Sequence, residues 1–250
     1  MKKTALITGA TSGIGRATAH IFAKNGIQLV LCGRRQERLD TIEEALKKET
    51  NVITLNFDVR DKEATLNAIA SLPEDFKNID ILINNAGNAH GLDPIQTGSL
   101  DDWDAMMDIN VKGLLYVSKA VIPGMTERKS GHIINIGSSA GKEVYPKGNV
   151  YCGSKHAVLA ITEGMRIDLN QFGIKVSAVN PGMVETEFSQ VRFKGDPVAD
   201  TVYKGFEALQ AEDIADIIYF VVSRPSHVNV ADLLVFPTAQ ASSTIVKKEL

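Results

Sequence analysis

Short apolar runs alternate with longer amphipathic stretches along the whole chain. The runs are "TALITG" (4–9), "QLVLCG" (28–33), "VITLNFDV" (52–59), "IDILINN" (79–85), "HIINIG" (132–137), "KVSAVN" (175–180) and "DLLVFP" (232–237). They are rich in Val, Ile and Leu and lack a clean apolar/polar alternation, as expected of strands covered on both faces. Between them, helical periodicity covers 14–25, 36–49, 61–71, 101–127, 151–172 and 211–223. The last of these, "AEDIADIIYFVV", carries acidic residues in its first turn, where the helix dipole favours them. Strands and helices interleaved in this way predict an α/β fold, a Rossmann-like, doubly wound, seven-stranded parallel sheet flanked by helices. No linker, repeat or low-complexity tract divides the chain, so one domain is expected over 1–250. The least regular part, 183–210, contains Gly195, Pro197 and mixed charges, and is expected to lie near the strand ends.

"TGATSGIG" follows the first strand and opens the first helix. Gly9, Gly13 and Gly15 permit a tight turn and bring backbone N–H groups close to a phosphate, with the helix terminus adding partial positive charge. Thr11, Ser12 and Ile14 share that loop. The spacing G-x-x-x-G-x-G differs from the common dinucleotide fingerprint, and the loop lacks the G-K-[ST] ending of a Walker A motif. At the end of the second strand, an acidic residue would bind the ribose 2′-hydroxyl of NAD. The chain has Gly33, Arg34 and Arg35 there, with no carboxylate before Glu37. Forked, permanently charged guanidinium groups suit a 2′-phosphate, and cations at a helix start oppose its dipole unless an anion is bound. The expected cofactor is NADP.

Bulk properties narrow the classes further. The 250 residues carry a net charge of −3, which gives no reason to expect nucleic acid or an anionic membrane as partner. The longest apolar runs, such as "IIYFVV", are too short to cross a bilayer. The two N-terminal lysines precede an apolar stretch that soon breaks at Thr8 and Gly9, so secretion is not expected, and the "KKEL" ending then has no retention role. Cys32 and Cys152 suggest no disulfide scaffold, and no histidine or cysteine spacing indicates a metal. A reduced, cytoplasmic protein is expected.

"YCGSK" places Tyr151 and Lys155 one helical turn apart on one face. Alone the pair is weak, because this spacing arises often by chance. Together "TGATSGIG", "NNAG" (84–87), Asn110, "GSSAG" (137–141), "YCGSK" (151–155) and "NPGMVET" (180–186) resemble the short-chain dehydrogenase/reductase family over nearly the whole chain. The resemblance implies that Tyr151 is the general acid/base. A tyrosine of pKa about 10 is only roughly 0.1% ionised at neutral pH, so Lys155 is expected to lower it. Ser138 would orient the substrate, with Ser139 ranked second, and Asn110 would link Lys155 to solvent in a proton relay. Asn85, Ala86 and Gly87 would line the ribose side and Asp58 with Val59 the adenine pocket. Pro181, Gly182, Val184 and Thr186 would fix the nicotinamide carboxamide.

"VRFKGD" (191–196), "VYKG" (202–205), "AEDIAD" (211–216) and "HVNVADLLVFPTAQAS" (227–242) are similar to the NADP-dependent 3-hydroxy acid dehydrogenases, the serine or L-allo-threonine group. This implies hydride transfer at the hydroxyl-bearing carbon of short 3-hydroxy acids, in a homotetramer that uses C-terminal segments in its contacts. The substrate's carboxylate needs a cation, and Arg192 is expected to approach it as 183–210 closes, with Lys194 the alternative. His90 is a further loop residue that could face the substrate. A general carbonyl or 3-oxoacyl reductase on the same fold stays open, since loops set the substrate. A non-catalytic NADP sensor is disfavoured, because Ser138, Tyr151, Lys155 and Asn110 are all present.

Overall fold

The computed structural model describes residues 2–249. Its strands are β1 (Thr4–Thr8), β2 (Gln28–Gly33), β3 (Val52–Asn56), β4 (Ile81–Asn84), β5 (Gly131–Ile136), β6 (Ile174–Pro181) and β7 (Asp232–Val235). They form one sheet in the order β3-β2-β1-β4-β5-β6-β7, with every pairing parallel. The helices are α1 (Gly13–Lys24), α2 (Gln36–Leu46), α3 (Lys62–Ala70), α4 (Glu74–Lys77), α5 (Leu100–Met107), α6 (Leu114–Arg128), α7 (Asn149–Leu169), α8 (Phe188–Arg192) and α9 (Ala211–Val222).

Successive strand residues point to opposite faces, and both faces are covered. Ala5, Ile7, Leu29 and Leu31 pack with Phe22 of α1, Leu39 of α2 and Ile218 of α9. Leu6, Val30 and Leu82 face the other way, against Ile69 of α3 and Val117 and Met125 of α6. Double burial explains why these strands read as continuous apolar runs. The strand order reverses between β1 and β4, which leaves a crevice at their carboxyl ends.

The differences from expectation have local causes. The run 52–59 stops pairing at Asn56, where Phe57 N donates to Gly33 O and Asp58 turns back to accept from Arg60 N. The stretch 101–127 is helical throughout but not uniformly α-helical. A π-helical turn at Asp108–Gly113 separates α5 from α6, and such turns widen the ladder where a side chain must be re-aimed. The one-turn helices α4 and α8 are too short to leave a periodicity. The segment 183–210 holds α8 and a 3₁₀ turn at Pro197–Thr201. Its base is fixed by the C-terminal tail, where Gln240 Oε1 accepts from Met183 N at 2.9 Å and Glu249 N donates to Gly205 O at 2.7 Å. Among the described residues no helix is long and apolar enough to cross a membrane.

Candidate active site

The loops at the carboxyl ends of β1, β2, β4, β5 and β6 enclose a cavity of about 580 Å³. Of the residues expected to hold cofactor or substrate or to act in catalysis, all line it except Gly15, Asn110 and the two further substrate candidates Lys194 and His90. Gly15 lies behind the glycine loop, where a Cβ would run into the Gly9 carbonyl. Gly9 itself has φ +66°, which favours glycine, and a Cβ there would lie 2.9 Å from Asn85 Nδ2. The loop is tied down by its neighbours. Thr8 Oγ1 accepts from Asn85 N and Ala86 N, both at 3.0 Å, and Asn85 Nδ2 donates to Thr8 O at 2.9 Å. Asn85 thus uses its amide to brace β1.

Tyr151 and Lys155 share a face of α7 and both are buried. The Tyr151 ring packs against Phe188, with centroids 5.8 Å apart. Burial pushes its phenol above the usual range, as does Tyr145, while the Ser138 hydroxyl and the charge of Arg192 pull downward. Burial outweighs the Arg192 charge, and Lys155 is not among the groups that lower the phenol here. Lys155 Nζ donates to Ile136 O at 3.0 Å, and burial lowers its own pKa to about 8. Ser138 caps the 3₁₀ turn at Ser139–Gly141 by accepting from Ala140 N at 3.1 Å, which leaves its hydroxyl hydrogen to face the cavity. Ser139 also lines the cavity.

Asn110 sits in the π-helical turn and is buried. Its Nδ2 donates to Asn88 O at 2.8 Å and Ser154 Oγ at 3.0 Å, and its Oδ1 accepts from Asn88 N at 2.9 Å. The π turn therefore aims the amide at the strand-end turn that carries Gly87 and Asn88.

At the end of β2, Arg34 Nη1 lies 3.2 Å from Asp58 and its side chain stays 54% exposed, open to a ligand on the other side. Arg35 instead donates to Thr11 Oγ1 and Ser12 Oγ, each at 2.9 Å, and to Glu187 at 3.0 Å. No carboxylate adjoins these arginines in sequence before Glu37, but the fold brings Asp58 and Glu187 to them from distant elements.

Arg192 reaches the cavity, where Nη1 donates to Tyr145 Oη at 3.0 Å and Nε to Gly91 O at 3.0 Å. Its guanidinium lies 5.6 Å from the centroids of both Tyr145 and Tyr151. Lys194 does not share the site, because its ammonium pairs with Asp102 at 2.9 Å. His90 stands in a small adjoining pocket, its Nε2 2.8 Å from Asn88 Nδ2. Tyr145, Phe188 and Glu187 line the cavity without any signal in spacing or composition that marked them beforehand.

The short chain dehydrogenase model matches residues 3–196. The chain belongs to the short-chain dehydrogenase family. It is 44% identical over 238 residues to the NADP-dependent 3-hydroxy acid dehydrogenase YdfG of Salmonella typhi, covering 94% of this chain and 95% of that protein. It is 46% identical over 245 residues to sulfoacetaldehyde reductase 2 of Chromohalobacter salexigens, covering 97% of each. Among solved structures, the closed form of a serine dehydrogenase complexed with NADP+ superposes with a TM-score of 0.92 at 41% identity, over 99% of this chain and 100% of that one.

The donor set of this dehydrogenase fits a dinucleotide bearing a 2′-phosphate. The start of α1 lines the cavity with no side-chain cap and no acid in its first turn, which leaves backbone N–H groups and the dipole for an anion. Arg34 adds the forked cation at the end of β2. Among the described residues, no cluster of His, Cys, Asp and Glu of the kind a metal needs is found.

Lys155 gives the first test. Its folded pKa of about 8 lies below the unfolded value of roughly 10.4, so between these values the unfolded chain binds more protons. The buried charge therefore costs stability below about pH 8, and the cost fades as pH rises toward the unfolded pKa. Replacement by Met removes about 3 kcal/mol of that cost and strands the Ile136 carbonyl at about 1 kcal/mol. Lys155→Met should unfold several degrees above wild type at pH 7, with the gap closing by pH 10. An equal or lower midpoint at pH 7 would show that the ammonium is not strained.

Proposed function

We propose that the protein is an NADP-dependent dehydrogenase of short 3-hydroxy acids, with the whole chain forming one cofactor-binding domain and working as a cytoplasmic homotetramer. The observation that carries the substrate class is the Arg192 guanidinium, fixed 5.6 Å from the Tyr151 ring inside the cavity. A cation held that near the proposed general base suits a small substrate whose anion lies a bond or two from the reacting carbon. The relatives' names agree with this chemistry, and the tetramer is what the resemblance to their group implies.

When bound, NADP supplies the nicotinamide ring that accepts or gives the hydride. Gly9, Thr11, Ser12, Gly13 and Ile14 would form the wall for its phosphates, with Gly15 packed behind that loop, and Arg34 would meet the 2′-phosphate, with Arg35 beside it. Asp58 and Val59 would border the adenine, and Asn85, Ala86 and Gly87 the ribose. Pro181, Gly182, Val184 and Thr186 would hold the carboxamide side. Tyr151 Oη takes the proton of the substrate hydroxyl in oxidation and returns it to the carbonyl oxygen in reduction. Ser138 donates to that oxygen and stabilises the charge growing on it. Lys155 holds positive charge behind the phenol, and Asn110 fixes the turn that borders it as part of the proton path. Arg192 holds the carboxylate and so orients the carbon.

The same cation would serve a sulfonate, and the likeness to a sulfoacetaldehyde reductase favours that as a second reading. Both are tested by mixing the purified protein with NADP or NAD and L-serine, L-allo-threonine, L-threonine or 3-hydroxypropionate. The reverse direction is run with NADPH and sulfoacetaldehyde. The expected result is turnover of the hydroxy acids with NADP and little with NAD. Preference for NAD would refute the assignment of Arg34, and activity confined to neutral ketones would leave a general carbonyl reductase.

A further inference from the structure

Glu187 stands between Thr186 and α8, five residues before Arg192. Its carboxylate lies 3.0 Å from Arg35 Nη1 and 2.6 Å from Arg38 Nη1. These contacts join parts of the chain 152 and 149 residues apart and cross the cavity mouth on the cofactor side. Arg35 is the residue before α2 and Arg38 is in its first turn, so both stand on the wall built by β2 and α2.

The other end of the same short segment is tied to the opposite wall. Gly91 N donates to Arg192 O at 2.9 Å, Arg192 Nε returns a bond to Gly91 O, and Lys194 pairs with Asp102 on α5. Helix α8 therefore lies as a strap fastened at both rims, with Arg192 at its C-terminal end. The two arginines after β2 also differ. Arg35 spends its donors on Thr11, Ser12 and Glu187, whereas Arg34 has a single partner, Asp58.

We propose that Glu187 is a positioning residue: through Arg35 and Arg38 it fastens α8 to the cofactor-side wall and thereby fixes where Arg192 stands. Arg34 alone then reads the 2′-phosphate, while the second and third arginines hold the strap. This rests on the reading that Arg192 meets the substrate's anion. One carboxylate between two guanidinium groups, bridging segments about 150 residues apart in the chain, has the form of a latch, and a network of this kind is stronger than an isolated surface pair. It also places the closure of the substrate side under the influence of the cofactor side, because the strap spans both.

The test compares wild type with Glu187→Gln, Arg38→Met and the conservative Arg38→Lys. Hydrogen exchange of residues 186–195 in the cofactor-free protein should accelerate about fivefold in the first two variants, the effect of losing such a pair. Arg38→Lys should restore most of the protection. In steady state, KM for the 3-hydroxy acid should rise about fivefold with kcat little changed, and the Kd for NADP should stay within about twofold of wild type. Unchanged exchange in both variants would overturn the latch. So would NADP binding more than about tenfold tighter in Glu187→Gln with KM unchanged, because Glu187 would then be only a competitor of the 2′-phosphate. Wild type that turns over no acidic substrate would sink the functional reading, while exchange in the cofactor-free protein would still decide the latch.

Discussion

Tyr151→Phe should bind NADP as wild type does and lose about a thousandfold in kcat, within the range that general acid–base groups contribute. The change removes one oxygen and keeps the ring. That ring is buried beside Ala140, Cys152 and Phe188, so the core around it stays filled and the unfolding midpoint should hardly move. The expected loss is large because nothing else nearby can take the proton in the same place. Ser138 already accepts from Ala140 N and is an alcohol too weak to act as the base. The phenol is pushed up by burial, so in wild type the ionised form grows as pH rises, and kcat for oxidation should climb with pH through the neutral range. In Tyr151→Phe that climb should vanish along with the rate. Pre-steady-state mixing with NADP and hydroxy acid, followed at the absorbance of the reduced cofactor, measures both. A variant that keeps a tenth of the wild-type rate with the same pH dependence would move the proton transfer to another group.

Much of this site could be read from the chain because its parts stand at strand ends, and strand ends are marked by local chemistry. Gly9 leaves β1 in a left-handed turn, Gly33 ends β2, and the Asn–Asn pair ends β4. Each is a short-range requirement written into neighbouring residues, and the doubly buried strands supply the register between them. The π-helical turn at Asp108–Gly113 was invisible for the opposite reason. It is set by Asn110 reaching Asn88 and Ser154, partners 22 and 44 residues away, and its helical period differs too little from its neighbours to show. Glu187 carries no mark in the sequence because its meaning depends on Arg35 and Arg38 across the cavity. The carboxylates near Arg34 and Arg35 are not legible in the sequence either, because the neighbouring positions offer only Glu37. Arg192 and Lys194 sit two residues apart, and the guanidinium fork ranks the arginine first without showing where either side chain goes. The fold does so, since Asp102 of α5 claims the lysine and leaves the arginine against Tyr145.

That separation of the two cations leads to the sharpest test of substrate class, Arg192→Met. The guanidinium stacks among Tyr145, Tyr151 and Phe193, and methionine is long and apolar enough to occupy the same channel. What disappears is the charge and the fork. Removing one partner of a desolvated, hydrogen-bonded ion pair costs about 2–5 kcal/mol, so kcat/KM for a 3-hydroxy acid should fall by at least about thirtyfold, mostly through KM. A neutral alcohol or ketone of similar size has no anion to lose and gains an apolar wall, so its kcat/KM should fall far less than that of the acid. The preference should therefore invert. Arg192→Lys separates charge from geometry: it keeps a cation but not two parallel N–H donors, and should recover only part of the acid activity. Some loss in kcat is also expected in Arg192→Met, because the guanidinium pulls the Tyr151 phenol downward and its removal makes the base harder to form. That second effect falls equally on acids and neutral substrates, so the ratio of the two kcat/KM values isolates the contact with the anion. A ratio unchanged from wild type would mean that Arg192 serves only the phenol and the closure of α8, and that the acid is held by the backbone donors of the loops around it.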